Sequence, residues 1–334
     1  MCAAFARSRS ITIGAVQIAA FSKRQSRRIV GGGLNQMLET NQSKTERVVF
    51  GCVAGHSPKY LFRALYLLRS IRWFGGTLSD ADVMICVADD IHSILVSDYL
   101  TEFERLGALI RIVPPFNPGY PHSNKLRFFE QAEITEYDIA VLLDCDTILV
   151  QDPTPHLSHE NFRAKIADLP TVSLQTFARL CDHFGLAMPE PTFRTTFDNV
   201  PTIWYCNSGV LVFPVHLIPR LVPIWCEYSR KLQARIELLG PSHFNVGQAS
   251  LALAYLTNPI PFEALNVNMN FPLHLTHHQT PPEIANGDPV ILHYHDCVDD
   301  AGYLLPSPYL GANARINQFN GQLRSVRGID ASKG

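Results

Sequence analysis

Ile139-Ala140-Val141-Leu142-Leu143-Asp144-Cys145-Asp146-Thr147 is the stretch on which the reading of this chain turns. Ile139 to Leu143 is an unbroken apolar run, rich in β-formers, that ends on two carboxylates spaced i, i+2. A short, bounded run of this kind fits a strand buried on both faces of a sheet. Open α/β sheets place their ligands at the carboxyl ends of such strands. If the extended backbone continues through the acidic pair, Asp144 and Asp146 project to the same side and can address one hard cation. Oxygen donors suit Mg²⁺ or Mn²⁺, with a bound diphosphate completing the shell. An Asp-x-Asp after a strand also forms Asx turns and helix caps, so the surrounding segments carry the weight of the choice.

Upstream, Val48 to Val53 reads as a first buried strand ending at Ala54-Gly55, with Ser57 and Pro58 opening a helix. Leu61, Ala64, Leu65, Leu68 and Ile71 recur at helical spacing across 59–74, and Gly75-Gly76 stops them. A second strand follows over 82–88 with Asp89-Asp90 at its end, then a helix over about 97–106 and a third strand at 109–113. This alternation winds a parallel sheet. A proline-rich loop, 114–121, leads to a helix from about Ser123 that carries Asn124, Lys125 and Arg127. Residues 153–205 hold many prolines and aromatics without clean periodicity and read as long loops near a ligand. Regularity returns with a strand over 207–213, helices around 216–239 and 242–257, and a short strand at 291–295.

Bulk properties set the frame. The 334 residues are 46% hydrophobic and 17% charged, enough apolar material for a substantial core. A net charge of −2 gives no electrostatic footprint for nucleic acid. The 8 cysteines form no C-x-x-C pair, and several, such as Cys52 and Cys86, lie in apolar strands. That is the usage of reduced, buried thiols, and it points to a cytoplasmic protein. No apolar stretch is long enough for a spanning helix. Residues 1–45 read as a basic, disordered lead-in, 46–320 as a single domain, and 321–334 as a tail.

Four segments now stand in order: Asn124-Lys125-Leu126, Asp144-Cys145-Asp146, Asn207-Ser208-Gly209 and Ile291-Leu292-His293. The combination resembles the A-type glycosyltransferases, most closely the glycogenin-like transferases of family 8, over roughly residues 47–305. The resemblance implies the GT-A, Rossmann-like nucleotide-diphospho-sugar transferase fold, a mixed but mostly parallel sheet flanked by helices. It implies transfer of a sugar from a nucleotide-diphosphate donor, with UDP-sugar favoured, to an acceptor hydroxyl with retention of configuration. The acceptor stays open among glycan, lipid, metabolite and protein.

By the same resemblance Asp146 ligates the metal, and Asp144 meets metal, ribose or both. His293 is the third protein ligand, with His295 its substitute on the same side of a strand. Val53, Ala54 and Gly55 hold base and ribose, Lys125 reaches the nucleotide sugar, and Cys145 lines the donor. Asn207 offers its amide to donor sugar or acceptor, and Gln248 flanks the reactive carbon. Arg127 points elsewhere.

Two departures qualify the match. Family 8 follows the late His with a Gly and then a diphosphate-binding Lys, whereas here His293 precedes Tyr294-His295-Asp296-Cys297-Val298-Asp299-Asp300. The family's Asp-Gln is Gly247-Gln248. Two other readings therefore stay in play. One is a haloacid-dehalogenase-like phosphohydrolase with Asp144 as nucleophile and Asp146 as acid/base. The other is a transferase-like protein that binds nucleotide sugar or glycan without turnover.

Overall fold

The computed structural model describes residues 46–331 apart from 56, 90–97 and 277–280. The basic lead-in and Asp90 lie outside the described residues. β1 (Val48–Gly55) leads into α1 (Pro58–Phe74), then β2 (Asp82–Ala88), α2 (Asp98–Arg105) and β3 (Ala108–Val113). β1 pairs in parallel with β2, and β2 with β3, as the alternation predicts. The helix expected from Ser123 is a 3-10 segment, Pro121–Glu130. The apolar run forms β4 (Ile139–Leu143), parallel to β1 and buried along its whole length.

The strand does not continue through the acidic pair. Asp144, Cys145 and Asp146 make a turn between β4 and β5 (Thr147–Leu149), closed by Thr147 N–H and Oγ1 donating to the Asp144 carbonyl. β6 (Phe162–Ile166) and α3 (Leu174–Phe184) occupy ground that the sequence reads as loops. The hairpin β7 (Phe193–Arg194) and β8 (Pro201–Thr202) precedes β9 (Cys206–Pro214).

β9 runs antiparallel to both β4 and β6. Its amino end, with Asn207-Ser208-Gly209, is thereby brought beside the carboxyl end of β4, and Asp144 N–H donates to the Gly209 carbonyl at 2.8 Å. α4 (Ile218–Ala234) and α5 (Val246–Thr257) pack over this half, and β10 (Phe262–Ala264) joins β6 at the edge. The sheet order is β10-β6-β9-β4-β1-β2-β3, mostly parallel, with two apolar clusters on its opposite faces.

A second sheet, β11 (Phe271–Pro272), β12 (Ile291–His293) and β5, completes the site, with α6 (Pro282–Ala285) between its strands. β12 is antiparallel to β5 and pairs His293 with Thr147, one residue beyond the acidic turn. The expected strand over 291–295 stops at His293, because His295 has φ +49°. Residues 321–331, expected as tail, continue α7 (Leu310–Ala331). Ala312, Ile316, Phe319 and Leu323 bury one stripe of that helix in the main cluster. Seven described cysteines are free thiols, six of them buried. No helix among the described residues is long and apolar enough to cross a membrane.

Candidate active site

A cleft of about 280 Å³ opens where β1 and β4 end. Val53 and Gly55 from β1 line it, while Ala54 between them is fully buried. Lys125, Asp144, Cys145, Asp146, Asn207, Gln248, His293 and His295 all line it as well. A larger depression of about 1230 Å³ lies over residues 194–199, 265–268, 281–283 and 286–287. Among the described residues, the convergent donors that could hold a metal lie in the smaller cleft, which makes it the candidate site.

Because the acidic pair sits in a turn, its two carboxylates diverge. Asp144 faces Lys125, whose Nζ lies 2.6 Å from Asp144 Oδ1 and also donates to Ser208 Oγ and the Ser208 carbonyl. Asp146 faces two imidazoles: Oδ1 is 3.3 Å from His293 Nε2, and Oδ2 is 3.6 Å from His295 Nδ1. The ligand atoms of Asp146, His293 and His295 lie within 4.8 Å of one another. Asp144, expected at the metal, the ribose or both, stands outside that group, which joins one carboxylate to two histidines.

His295 enters the group by an unexpected route. It is not a strand partner of His293. The left-handed backbone at residue 295 folds its ring back onto His293, with centroids 3.9 Å apart and planes 19° from parallel. A non-glycine residue in that region costs on the order of 1 kcal/mol. Tyr294 N–H donates to the Asp146 carbonyl at 3.0 Å, so the turn wraps around the acid it serves.

The donor set fits a divalent cation on its own chemistry. His293 Nδ1 is 3.0 Å from Asn270 Oδ1. An amide oxygen only accepts, so Nδ1 can keep its proton there, and an ion that displaces the proton on Nε2 would find a lone pair beside Asp146. Burial pushes the Asp146 carboxyl up, but the charge and hydrogen bond of His293, then His295 and Arg63, outweigh it and hold the group well below the usual carboxylate range. Burial, then His293 and His274, lower His295 to about 3. A carboxylate facing an uncharged His295 imidazole is the state in which both can donate lone pairs to one ion.

Asn207 is held in a network that sequence reading did not reach. Its amide nitrogen donates to Asp168 Oδ2 at 3.0 Å, and its Oδ1 accepts from Gly209 N–H at 2.8 Å. Asp168 also accepts from Thr196 Oγ1 and pairs with Lys165 Nζ, which is fully buried and donates to the Asn270 carbonyl at 2.7 Å. Burial lowers the Lys165 pKa, opposed by the charge of Asp168. Gly209 has its own reason. A Cβ there would meet His293 Cε1 at 2.6 Å, so the close approach it permits is that of the His293 ring.

Gln248 lies in the first turn of α5, and a Cβ on neighbouring Gly247 would meet nothing within 4 Å. Arg127 bonds to the carbonyls of Pro114 and Pro115 and to Glu130, away from the cleft as expected. Arg63 and Tyr60 are lining residues that carried no sequence signal as site residues, Asn124 lines the cleft beside Lys125 from the same motif, and Asn270 is missed behind His293.

Residues 51–257 match the model of a family described as the Rhodobacterales glycosyltransferase domain. Among solved structures, an active-site mutant of LgtC superposes with TM-score 0.50 and 16% identity, covering 82% of this chain and 95% of that one. A complex of the galactosyltransferase LgtC with donor and acceptor sugar analogs gives 0.49 and 15%, with the same coverage. Mouse xyloside xylosyltransferase 1 gives 0.47 and 12%, covering 75% of this chain and 98% of its own. At these identities the first likeness is one of fold. No curated protein sequence matches the chain.

Proposed function

We propose a specific reaction for this chain, which belongs to the Rhodobacterales glycosyltransferase domain family and is a glycosyltransferase of the A-type fold: metal-dependent transfer of a sugar from a UDP-sugar to an acceptor hydroxyl, with retention at the anomeric carbon. The observation that carries the reading is the convergence of Asp146, His293 and His295 at the carboxyl end of β4, beside the Lys125–Asp144 pair. Membership of a glycosyltransferase family sets aside the phosphohydrolase reading of Asp144 and Asp146 and the reading without turnover.

In this reading Asp146, His293 and His295 hold the cation. Two imidazoles with one carboxylate favour Mn²⁺ over Mg²⁺, which prefers an all-oxygen shell. When bound, the cation offsets the charge that builds on the departing nucleoside diphosphate. Val53 and Gly55 present backbone to the base and ribose. Asp144, oriented by Lys125, accepts from a ribose or sugar hydroxyl, while Asn207, fixed by Asp168, meets the sugar. Gln248 enters from α5 beside the reactive carbon. Retention and the uridine base rest on the resemblance to glycogenin-like transferases.

The test is a thermal-shift panel of UDP-, GDP-, ADP- and TDP-sugars, each with Mn²⁺, with Mg²⁺ and with chelator. A ligand that binds only the folded chain raises Tm by mass action, about 2.7 kcal/mol at a hundred times Kd. The expected result is a shift with the UDP-sugar and Mn²⁺ that chelator abolishes. Equal shifts with and without metal would remove the metal from the donor site.

A further inference from the structure

Arg63 belongs to none of the motifs that carry the resemblance, yet its guanidinium lies against the convergent donors. It sits on α1 four residues beyond Lys59, so the two share a face of the helix. Its side chain is 9% exposed. Nη2 donates to the His295 carbonyl at 2.7 Å and lies 2.5 Å from Asp296 Oδ1, while Nη1 lies 3.4 Å from Asp146 Oδ2. Lys59 Nζ meets the same Asp296 oxygen at 2.7 Å. One of these bonds falls on His295, the one residue of the donor set whose backbone is left-handed, and two more fall on Asp296 next to it. A non-glycine residue released from such a conformation relaxes towards extended backbone, and its ring would then leave Asp146.

We propose that Arg63 is the positioning residue of the metal site. By clamping the His295 carbonyl and Asp146 Oδ2 together, it keeps the second imidazole beside the first, so that both address the same divalent cation as Asp146. The proposal rests on the metal-dependent reading above and deepens it.

The clamp also accounts for the lysine that the chain lacks after His293. Lys59, Arg63 and Lys125 are paired with Asp144, Asp146 and Asp296. With those charges balanced, a divalent cation is left to match the two negative charges of a sugar-nucleotide diphosphate. The guanidinium reaches the His295 carbonyl from Nη2 and Asp146 from Nη1, two donors held apart in one plane, whereas a shorter lysine stem brings a single nitrogen.

The experiment titrates the full chain with MnCl₂ by calorimetry and reads the bound ion by pulsed EPR, in which histidine nitrogens couple to Mn²⁺. Absence of Mn²⁺ binding by the wild type overturns the metal reading itself, and the clamp with it. With the wild type binding, Arg63→Gln is expected to weaken Mn²⁺ about tenfold or more, the usual cost of losing an outer-shell partner. It should also lose one of two nitrogen couplings, with the circular dichroism spectrum retained. His295→Ala should give the same two changes. Wild-type affinity with both couplings in Arg63→Gln overturns the proposal alone. Arg63→Lys keeps the buried charge without the two-pronged reach and decides the matter if the Gln variant does not fold. A loss of affinity and of a coupling in the Lys variant supports the clamp, and wild-type values overturn it.

Discussion

Lys125 Nζ and Asp144 Oδ1 lie 2.6 Å apart, so the first carboxylate of the acidic pair is engaged by a lysine while the second is engaged by histidines. The pair divides its labour because the chain turns between its members. Asp144 closes β4 and leans on the 3-10 segment, whereas Asp146 opens β5 and leans on β12.

Removing either partner leaves a mostly buried charge without its counterpart. Lys125→Ala is expected to cost about 1–3 kcal/mol of stability and to weaken UDP-sugar binding about tenfold. The double variant Lys125→Ala with Asp144→Asn should recover part of the stability. Urea unfolding of the four proteins measures the coupling, and strict additivity would show that the pair does not interact.

Asp146→Asn should fold and lose its response to metal. The expected outcome is a normal melting curve in chelator and no rise in Tm with Mn²⁺, against a clear rise for the wild type. A full Mn²⁺-dependent shift in the variant would place the cation elsewhere.

The Lys165–Asp168 pair is buried behind Asn207. Lys165→Met removes the cation and strands the carboxylate, with an expected loss of about 3–5 kcal/mol. Adding Asp168→Asn should restore much of it, yet leave kcat low, since Asn207 then loses its charged acceptor. Denaturant midpoints and turnover read the two effects separately.

Gly247 stands in the first turn of α5, with open space where a side chain would go. Gly247→Asp is therefore expected to raise stability by roughly 0.5–1 kcal/mol. Loss of backbone freedom in the unfolded chain and a negative charge near a helix N-terminus both act in that direction. A fall in Tm would show that Gly247 is needed for the approach of α4, whose Trp225 donates to its carbonyl at 2.9 Å.

Glu102 ties α1 to α2. The hydrogen bond from Arg105, then that from Arg69, holds its carboxyl below its usual value. A carboxylate depressed in the folded state contributes stability that is present above about pH 4.5 and lost as pH falls through the lowered folded value. Glu102→Gln should flatten the decline of Tm below that pH. The effect should stay under about 1 kcal/mol, because the side chain is partly exposed.

The sheet from β1 to β4 was legible because its strands are mostly apolar, with one charge inside β3 at Arg111, and α1 between the first two carries a clean stripe. β6 was not, because Arg163 and Lys165 break its apolar pattern, and only the folded chain shows Asp168 neutralising Lys165. α3 carried an N-cap at Ser173 and a left-handed Gly185, signals lost among the surrounding prolines and aromatics. α7 was missed although Ala312, Ile316, Phe319 and Leu323 recur at helical spacing, since polar residues fill the gaps between them. Within the site, Asp146 and His293 could be named from motif order. Arg63 and Asn270 could not, because each acts through a neighbour that topology alone supplies.

His293 and His295 hang from the small sheet, while Asp146 is the hinge point where the chain leaves the large one. In the proposed site, an ion gripped by all three would work as a rivet between the two sheets. Loading it should slow amide exchange along β5, β12 and β11 together, far more than along β2 and β3. The small sheet then reports, in its breathing, whether the cleft is armed.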